Sequence, residues 1–140
     1  MNRKSQWAAC VLFSLAAVAP LADQGPSKSA LLCAITHTVS CDDEGECTQG
    51  PATAVNLPVF MDFRLAEKKV RSASAAGSRR TSSIGNMEFG EEVIVLQGGE
   101  KGVGWSATIR RADGALTGAI AADGTGYLIF GACLEHDTGE

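Results

Sequence analysis

The stretch that decides the fold is "GWSATIRRADGALTGAIAADGTGYLIFGAC", residues 104–133. Residues 105–110 alternate apolar and polar side chains, which is typical of a half-buried β-strand. The Asp-Gly pairs at 113–114 and 123–124 are signals of tight hairpin turns. The stretch therefore predicts three consecutive antiparallel strands.

The same pattern extends upstream to about residue 31. "EVIVLQ" (92–97) and "VFMDFRL" (59–65) are typical strands, and no stretch beyond residue 22 has a sustained helical period. We expect loops or turns at "TQGPATAVNLP" (48–58), "NMEFGEE" (86–92) and "GGEKGVG" (98–104). About eight strands are predicted, near 31–40, 59–65, 69–74, 81–85, 92–97, 104–110, 115–121 and 126–133.

Short turns between neighbouring strands predict an all-β fold built as an antiparallel meander. Eight strands are enough to close a small barrel, and closure removes the exposed edges on which sheets aggregate. We therefore expect a small barrel or a flattened, barrel-like sandwich.

The chain opens with "MNRKSQWAACVLFSLAAVAPLADQG", a cationic start followed by an apolar run and small residues. This is the layout of a secretory signal peptide, predicted at 1–22, and it leaves a single β domain at 23–140. The expected location is the periplasm or the exterior. No later segment has the apolar length of a membrane span.

Charge disfavours a nucleic-acid partner. The full chain has 12 basic and 16 acidic residues, and removing Arg3 and Lys4 changes its net charge from −4 to −6. Phosphate backbones are bound by basic surfaces, so this acidic domain lacks the expected electrostatic footprint.

Four cysteines remain after the predicted signal peptide: Cys33, Cys41, Cys47 and Cys133. An even number in an oxidising compartment indicates disulfides. A disulfide needs Cα atoms roughly 4.4–6.8 Å apart. Cys33 and Cys41 lie on one predicted strand, roughly 26 Å apart at about 3.3 Å per residue, so they cannot pair.

The polar loop "CDDEGEC" (41–47) allows Cys41 to meet Cys47, and this leaves Cys33 for Cys133. The alternative pairs Cys33 with Cys47 and Cys41 with Cys133. In the chain-entropy model, a bridge closing about 100 residues contributes roughly 4.7 kcal/mol and the short one about 2.4. We predict Cys33–Cys133 and Cys41–Cys47, with Cys33–Cys133 tying the two ends of the meander together.

Other chemistry at this cysteine-rich stretch is disfavoured. A zinc site with His37 lacks the close Cys pairs of such sites, and no C-x-x-C redox motif is present. The acidic residues 42–46 do not match an EF-hand loop, which favours a solvated turn over calcium. We predict no metal and no cofactor, and we expect His37 to be a surface or rim residue.

The sequence also lacks recognisable catalytic motifs. There is no G-x-S-x-G elbow and no P-loop. Of the two histidines, His136 lies in a polar tail that we expect to fray. Glu91 and Glu92 are adjacent on an expected strand edge, so they point to opposite faces and do not suit acid–base work on one bond. We predict that the protein is not an enzyme and has no catalytic residues.

One cluster of charge opposes the acidic balance of the chain. Residues 64–80 contain six cations and one acid, Glu67. One interpretation is a solvated hairpin that protects a sheet edge. The other is a binding surface for an anionic envelope component or an envelope protein. The cations are Arg64, Lys68, Lys69, Arg71, Arg79 and Arg80.

The largest side chains of the decisive stretch are expected in the core. Trp105 and Phe130 lie on alternating strands, where core packing is the ordinary role of large residues. The alternative places them at the mouth of a pocket.

From "GWSATIRRADGALTGAIAADGTGYLIFGAC" and the early cysteine cluster, residues 33–133 resemble a group of small exported bacterial β-proteins. These proteins share an aromatic strand, two tight hairpins and a closing Phe-Gly-x-Cys. The resemblance implies a fold and an exported location, and it implies no activity.

A weaker resemblance is to the periplasmic inhibitors of c-type lysozyme, which are also small, barrel-like and closed by a terminal disulfide. "SASAAG" (72–77) is similar to their SASG-like loop, whereas "SRR" (78–80) replaces the tyrosine that follows it, and their downstream tryptophan-lysine order is not reproduced. By this resemblance, Ser72, Ser74 and Lys101 would be the contact residues.

The sequence thus predicts an exported, disulfide-stabilised, non-enzymatic binding or interaction module. One alternative is an inhibitor of a cell-wall hydrolase or protease acting through residues 71–80. Another is a carrier of small apolar ligands.

Overall fold

The computed structural model describes residues 29–72 and 79–137. The predicted signal peptide, 1–22, lies outside these residues. The described chain forms one antiparallel sheet and one short 3-10 helix, Ala52–Val55. The strands are β1 (Ser29–Cys41), β2 (Cys47–Gly50), β3 (Phe60–Arg64), β4 (Lys69–Ser72), β5 (Thr81–Phe89), β6 (Val93–Glu100), β7 (Val103–Arg110), β8 (Ala115–Ala122) and β9 (Thr125–Asp137).

Eight of these strands close into a barrel. From β3 to β9 each strand pairs with the next along the chain, and β1 pairs with both β3 and β9. The closing β1–β9 ladder runs from Ser29 opposite Asp137 to Cys41 opposite Gly126. The prediction of an all-β antiparallel meander closed as a small barrel is confirmed, with β2 as an additional strand.

β1 serves two partners along the same edge. Residues 30–34 pair with β3, and residues 38–41 pair with β2. Between these two parts the register against β9 shifts at Ile35/His37, which marks a bulge at Thr36. The bulge lets both Ile35 and Thr38 lie buried, three positions apart.

Four local predictions differ from the structure. β2 lies in the segment expected to be irregular, and β5 continues through Phe89 where a turn was expected. The expected loop at 98–104 consists of the ends of β6 and β7 around a two-residue turn, Lys101–Gly102. The polar tail differs as far as Asp137, because β9 continues to that residue and includes His136.

The two Asp-Gly signals near the C-terminus correspond to turns of different length in the structure. Asp123 and Gly124 both have positive φ, 43° and 73°, and form a two-residue turn of the kind that type I′ geometry requires. The other Asp-Gly pair lies in a four-residue loop, 111–114, between β7 and β8. Only the 123–124 signal therefore gives the tightest hairpin.

The core fills most of the barrel interior. One face of every long strand points into it. Phe63 is completely buried, and its ring packs edge-on against Trp105 with centroids 6.1 Å apart. The buried apolar cluster comprises Leu31, Cys33, Ile35, Ala52, Phe63, Leu65, Val70, Ile84, Ile94, Leu96, Ala107, Ile109, Leu116, Ile129 and Cys133.

Candidate functional site

The cysteine cluster is structural. Cys33 is bonded to Cys133, its direct partner in the β1–β9 ladder, with Cα atoms 4.0 Å apart. Cys41 is bonded to Cys47 at the start of the β1–β2 pair, with a Cα separation of 4.1 Å. This is the predicted pairing. No thiolate of the described chain is left to bind zinc or carry out redox exchange.

The acidic residues beside these cysteines shape a turn. Oδ1 of Asp42 accepts hydrogen bonds from the backbone N–H groups of Glu44 and Glu46, at 3.1 and 2.9 Å. The loop is exposed to solvent. Within 29–72 and 79–137, no three His, Cys, Asp or Glu side chains converge in a way that would hold a metal ion.

The structure separates the six cations of residues 64–80: three lie at one end of the barrel, two at the other, and Arg71 lies on β4 between them. Arg64, Lys68 and Lys69 flank the β3–β4 turn at one end of the barrel. Arg79 and Arg80 lead into β5 at the opposite end, which we call the mouth. The sequence cluster is therefore not a single surface.

Two of the six cations have carboxylate partners. Nε of Arg64 lies 2.6 Å from Oδ2 of Asp62, whose Oδ1 lies 3.0 Å from Nε2 of His136. Glu67 forms an ion pair with Arg71. Arg64 and Arg71 thus take part in a network across the outer surface of the barrel. Among the described residues, Lys68, Lys69, Arg79 and Arg80 form no ion pair.

A cavity of about 490 Å³ opens at the mouth. Its depth is apolar, because inward-facing side chains of β3, β4, β7, β8 and β9 meet there. They are joined by the segment that precedes β3. The apolar lining consists of Leu57, Pro58, Met61, Phe63, Val70, Val103, Trp105, Ala107, Ile120 and Ile129.

The rim of this cavity is cationic. Arg79, Arg80 and Lys101 line it together with one carboxylate, Glu100, and with the ion-paired Arg71. Arg79, Arg80 and Lys101 are exposed and form no ion pair within the described chain. The rim therefore has a local excess of positive charge in a chain whose net charge is −4.

Strand register explains why Arg80 belongs to the cavity. Val70 lies opposite Ser82, so both share the inward face of the β4–β5 pair. Continuing this register places Ser72 opposite Arg80, and the backbone N–H of Arg80 donates to Oγ of Ser72 at 2.8 Å. Arg80 is therefore two positions before inward-facing Ser82, at the last inward position before the mouth.

Trp105 forms the wall of the cavity. Its indole Nε1 donates a hydrogen bond to Oγ of Ser82, two strands away, at 2.9 Å. Gly98 lies between them on β6, and a Cβ there would come within 2.5 Å of the indole. Because Gly98 has no side chain, the indole has space to cross β6 and reach β5.

The expectation for the two large aromatic residues holds only for Trp105, which packs against Phe63 as well as lining the cavity. For Phe130, both the prediction of core packing and the alternative of a pocket mouth are wrong. It lies on the outer surface at 37% exposure, near His37, with ring centroids 6.2 Å apart. His37 is a surface residue, as expected.

The outer face of the barrel also has an apolar character. Five large apolar side chains of β1, β3 and β9 are exposed there: Leu32, Phe60, Leu128, Phe130 and Leu134. A shallow concavity of about 470 Å³ lies beside Leu128, where small outward residues such as Ala119, Ala121 and Gly126 line the sheet. No charged side chain lines this concavity.

The remaining sequence candidates are dispersed. Glu91 and Glu92 lie in the turn between β5 and β6, not on a strand. Ser72 and Lys101 both line the mouth, whereas Ser74 lies outside the described residues. A cavity was expected only as an alternative, as a pocket with Trp105 and Phe130 at its mouth. The available signal was the alternation of Arg80, Ser82 and Ile84, which places a cation at the end of an inward-facing row.

The part of the chain that the structure describes contains no helix long and apolar enough to cross a membrane. Comparison of the chain with protein-family models, with curated proteins and with solved structures finds no match. The candidate site therefore rests on its own geometry: an apolar cavity in a disulfide-closed barrel, with a cationic rim.

Proposed function

We propose that the protein is an exported, non-enzymatic binding module that holds a small apolar molecule in the barrel cavity. The observation that carries the proposal is the cavity of about 490 Å³. Ligand sites of small molecules are concave, about 300–1,000 Å³ in volume and mostly apolar, with a few polar groups. An eight-stranded barrel has an interior of the size that accepts side chains or one small ligand.

The disulfides support the exported location. Both bonds are stable in oxidising compartments, whereas cytosolic thiols are kept reduced. The cationic and apolar start of the sequence is consistent with the same location. Periplasmic or secreted protein should accordingly contain no free thiol at the four positions of the barrel.

The polar groups of the cavity support an apolar ligand. Ser82 and Trp105 hydrogen-bond to each other. Among the described residues, no buried side-chain nitrogen or oxygen is without a hydrogen-bond partner. A charged ligand group deep in the cavity would lose water and meet no charged partner, and this costs free energy.

The test uses N-phenyl-1-naphthylamine, a neutral apolar dye that fluoresces when it leaves water. We expect saturable binding of one dye per chain. Ile120→Trp should abolish it by filling the cavity, whereas Ala121→Trp, the next residue on β8, fills the outer concavity and should leave binding intact. Loss of binding only in Ala121→Trp, or no saturable binding by the natural protein, contradicts the proposal. Thermal unfolding checks that both variants are folded.

A second function, inhibition of a c-type lysozyme or a related hydrolase, is favoured by the position of Ser72 and Lys101 on the same mouth. Those are two of the three residues that the resemblance to lysozyme inhibitors selects. We expect such an inhibitor to slow lysis of cell walls by c-type lysozyme and to lose this effect in Lys101→Ala. Lysis at an unchanged rate in the presence of excess protein excludes inhibition of c-type lysozyme.

A further inference from the structure

We infer that the ligand of the cavity is a single-chain amphiphile with an acidic head group. Its apolar chain lies among Met61, Trp105 and Ile120, which are partly buried, and its carboxylate or phosphate lies at Arg79 and Arg80. This inference rests on the proposed function, because it specifies the ligand of the same cavity.

The first argument is that apolar and charged side chains line different parts of the cavity. Apolar side chains line the depth, and the charged residues Arg79, Arg80, Glu100 and Lys101 are at the rim. A ligand that matches both regions has an apolar body and a charged end. Because the depth offers a charged group no charged partner, the charged end stays at the rim, where the cations are.

The second argument is the sign of the charge. Three rim cations, Arg79, Arg80 and Lys101, have no carboxylate partner in the described chain, and only Glu100 opposes them. Arg64 and Arg71, in contrast, have acids against them. An anionic ligand group would supply the partner that these cations lack. A guanidinium binds a carboxylate or a phosphate with two parallel hydrogen bonds.

The third argument is the direction of Arg80. It continues the inward-facing row of Ser82 and Ile84, while Ser72 accepts a hydrogen bond from its backbone. The strand pairing therefore holds Arg80 at the boundary between the apolar depth and the solvent. This is where the head group of a chain bound in the cavity would lie.

The experiment is isothermal titration calorimetry of the full chain with four single-chain probes of equal length, used below their micelle concentrations. These are dodecanoate, dodecyl phosphate, dodecanol and dodecyltrimethylammonium. We expect both anions to bind at least about tenfold more tightly than dodecanol, the size of effect that hydrogen bonds to charged groups produce. The cation should bind more weakly still. The anion that binds more tightly shows whether the site prefers a carboxylate or a phosphate head group.

The variants locate the head group. Arg79→Gln combined with Arg80→Gln should remove the preference for anions and leave dodecanol binding unchanged. The matched control is Lys68→Gln combined with Lys69→Gln, two exposed cations of the same sequence cluster at the opposite end of the barrel. It should change nothing. Glu100→Gln removes the opposing carboxylate and should tighten dodecanoate binding.

The outcomes separate this inference from the proposed function. Equal binding of dodecanol and the anions overturns the inference and leaves the cavity as an apolar site. No binding of any probe overturns both. An anion preference that survives in the Arg79/Arg80 variant, or that falls equally in the Lys68/Lys69 control, overturns the inference, because the head group is then not at the rim.

Discussion

The indole of Trp105 reaches from β7 across β6 and donates a hydrogen bond to Oγ of Ser82 on β5, at 2.9 Å. The contact links the wall of the cavity to the strand that carries Arg80. It is partly buried, so both groups would lose hydrogen bonding if either side chain were removed. The position of the indole therefore determines the shape of the cavity and whether the hydroxyl of Ser82 has a hydrogen-bond partner there.

Ser82→Ala should destabilise the fold by about 1 kcal/mol, because it leaves the Trp105 N–H without its partner. Urea unfolding measures the free-energy change, and tryptophan fluorescence should shift because the indole environment changes. Ser83→Ala is the matched control, since Ser83 is the exposed neighbour on the same strand. Equal effects of the two substitutions would show that the hydrogen bond is not the cause.

Gly98→Ala should destabilise the fold by roughly 1–3 kcal/mol, the range for overpacked sites. A Cβ at this position would lie 2.1 Å from the carbonyl oxygen of Ser83 and 2.5 Å from the Trp105 ring. Both neighbours would have to move, and the indole would lose its place over β6. Thermal or urea unfolding measures the loss.

Gly104→Ala is the control for this substitution. Gly104 lies on β7 beside Trp105, and a Cβ there would meet no atom within 4 Å. We expect a change within about 0.5 kcal/mol, as at ordinary surface positions. A Gly98→Ala protein as stable as the Gly104→Ala protein would mean that the barrel wall adapts to the added methyl group without strain.

The sequence was sufficient for the strands that alternate apolar and polar residues, and for closure of the barrel. It was insufficient for β2, whose four residues are nearly all exposed and have no apolar pattern. β2 is held instead by its ladder with β1 and by the Cys41–Cys47 bond. The end of β5 was missed for a similar reason, since a bulge near Gly85 shifts the alternation there.

The candidate site was less predictable than the fold. Arg64, Lys68 and Arg80 are close in sequence, and the alternation that defines strands says nothing about which end of a barrel each one reaches. That depends on β4, which carries the chain from the β3–β4 turn toward the mouth. The cavity depends further on how completely the inward side chains fill the interior, and no local pattern contains this information.

Removing the Cys33–Cys133 bond should destabilise the protein about twice as much as removing Cys41–Cys47. In the chain-entropy model the long bridge contributes about 4.7 kcal/mol and the short one about 2.4. The long bridge joins the strands that close the barrel, and its sulfurs lie in the core. Urea unfolding of the paired variants Cys33→Ala/Cys133→Ala and Cys41→Ala/Cys47→Ala measures the ratio. Equal losses would show that loop length does not control the effect.

Asp113 should titrate well below an ordinary aspartate. Nε and Nη2 of Arg110 donate to its two carboxylate oxygens at 2.8 and 2.6 Å, and the backbone N–H of Ala115 adds a third hydrogen bond at 3.1 Å. These donors favour the ionised form and lower the pKa of Asp113 to about 2. An NMR titration of the side-chain carboxyl carbons should show this midpoint.

The sign of the pH effect follows from this lowered pKa. Folding favours the ionised carboxylate, so the contribution of Asp113 to stability is complete above the unfolded pKa of about 3.9 and is lost as the pH falls toward 2. Arg110→Gln should raise the pKa of Asp113 and weaken this acid dependence, while the hydrogen bond from Ala115 keeps part of it. Arg111→Gln is the control, because Nε of Arg111 donates instead to the carbonyl of Gly90 at 2.8 Å. A midpoint near 3.9 in the natural protein, or an equal rise in both variants, would show that the Arg110–Asp113 pair does not persist in solution.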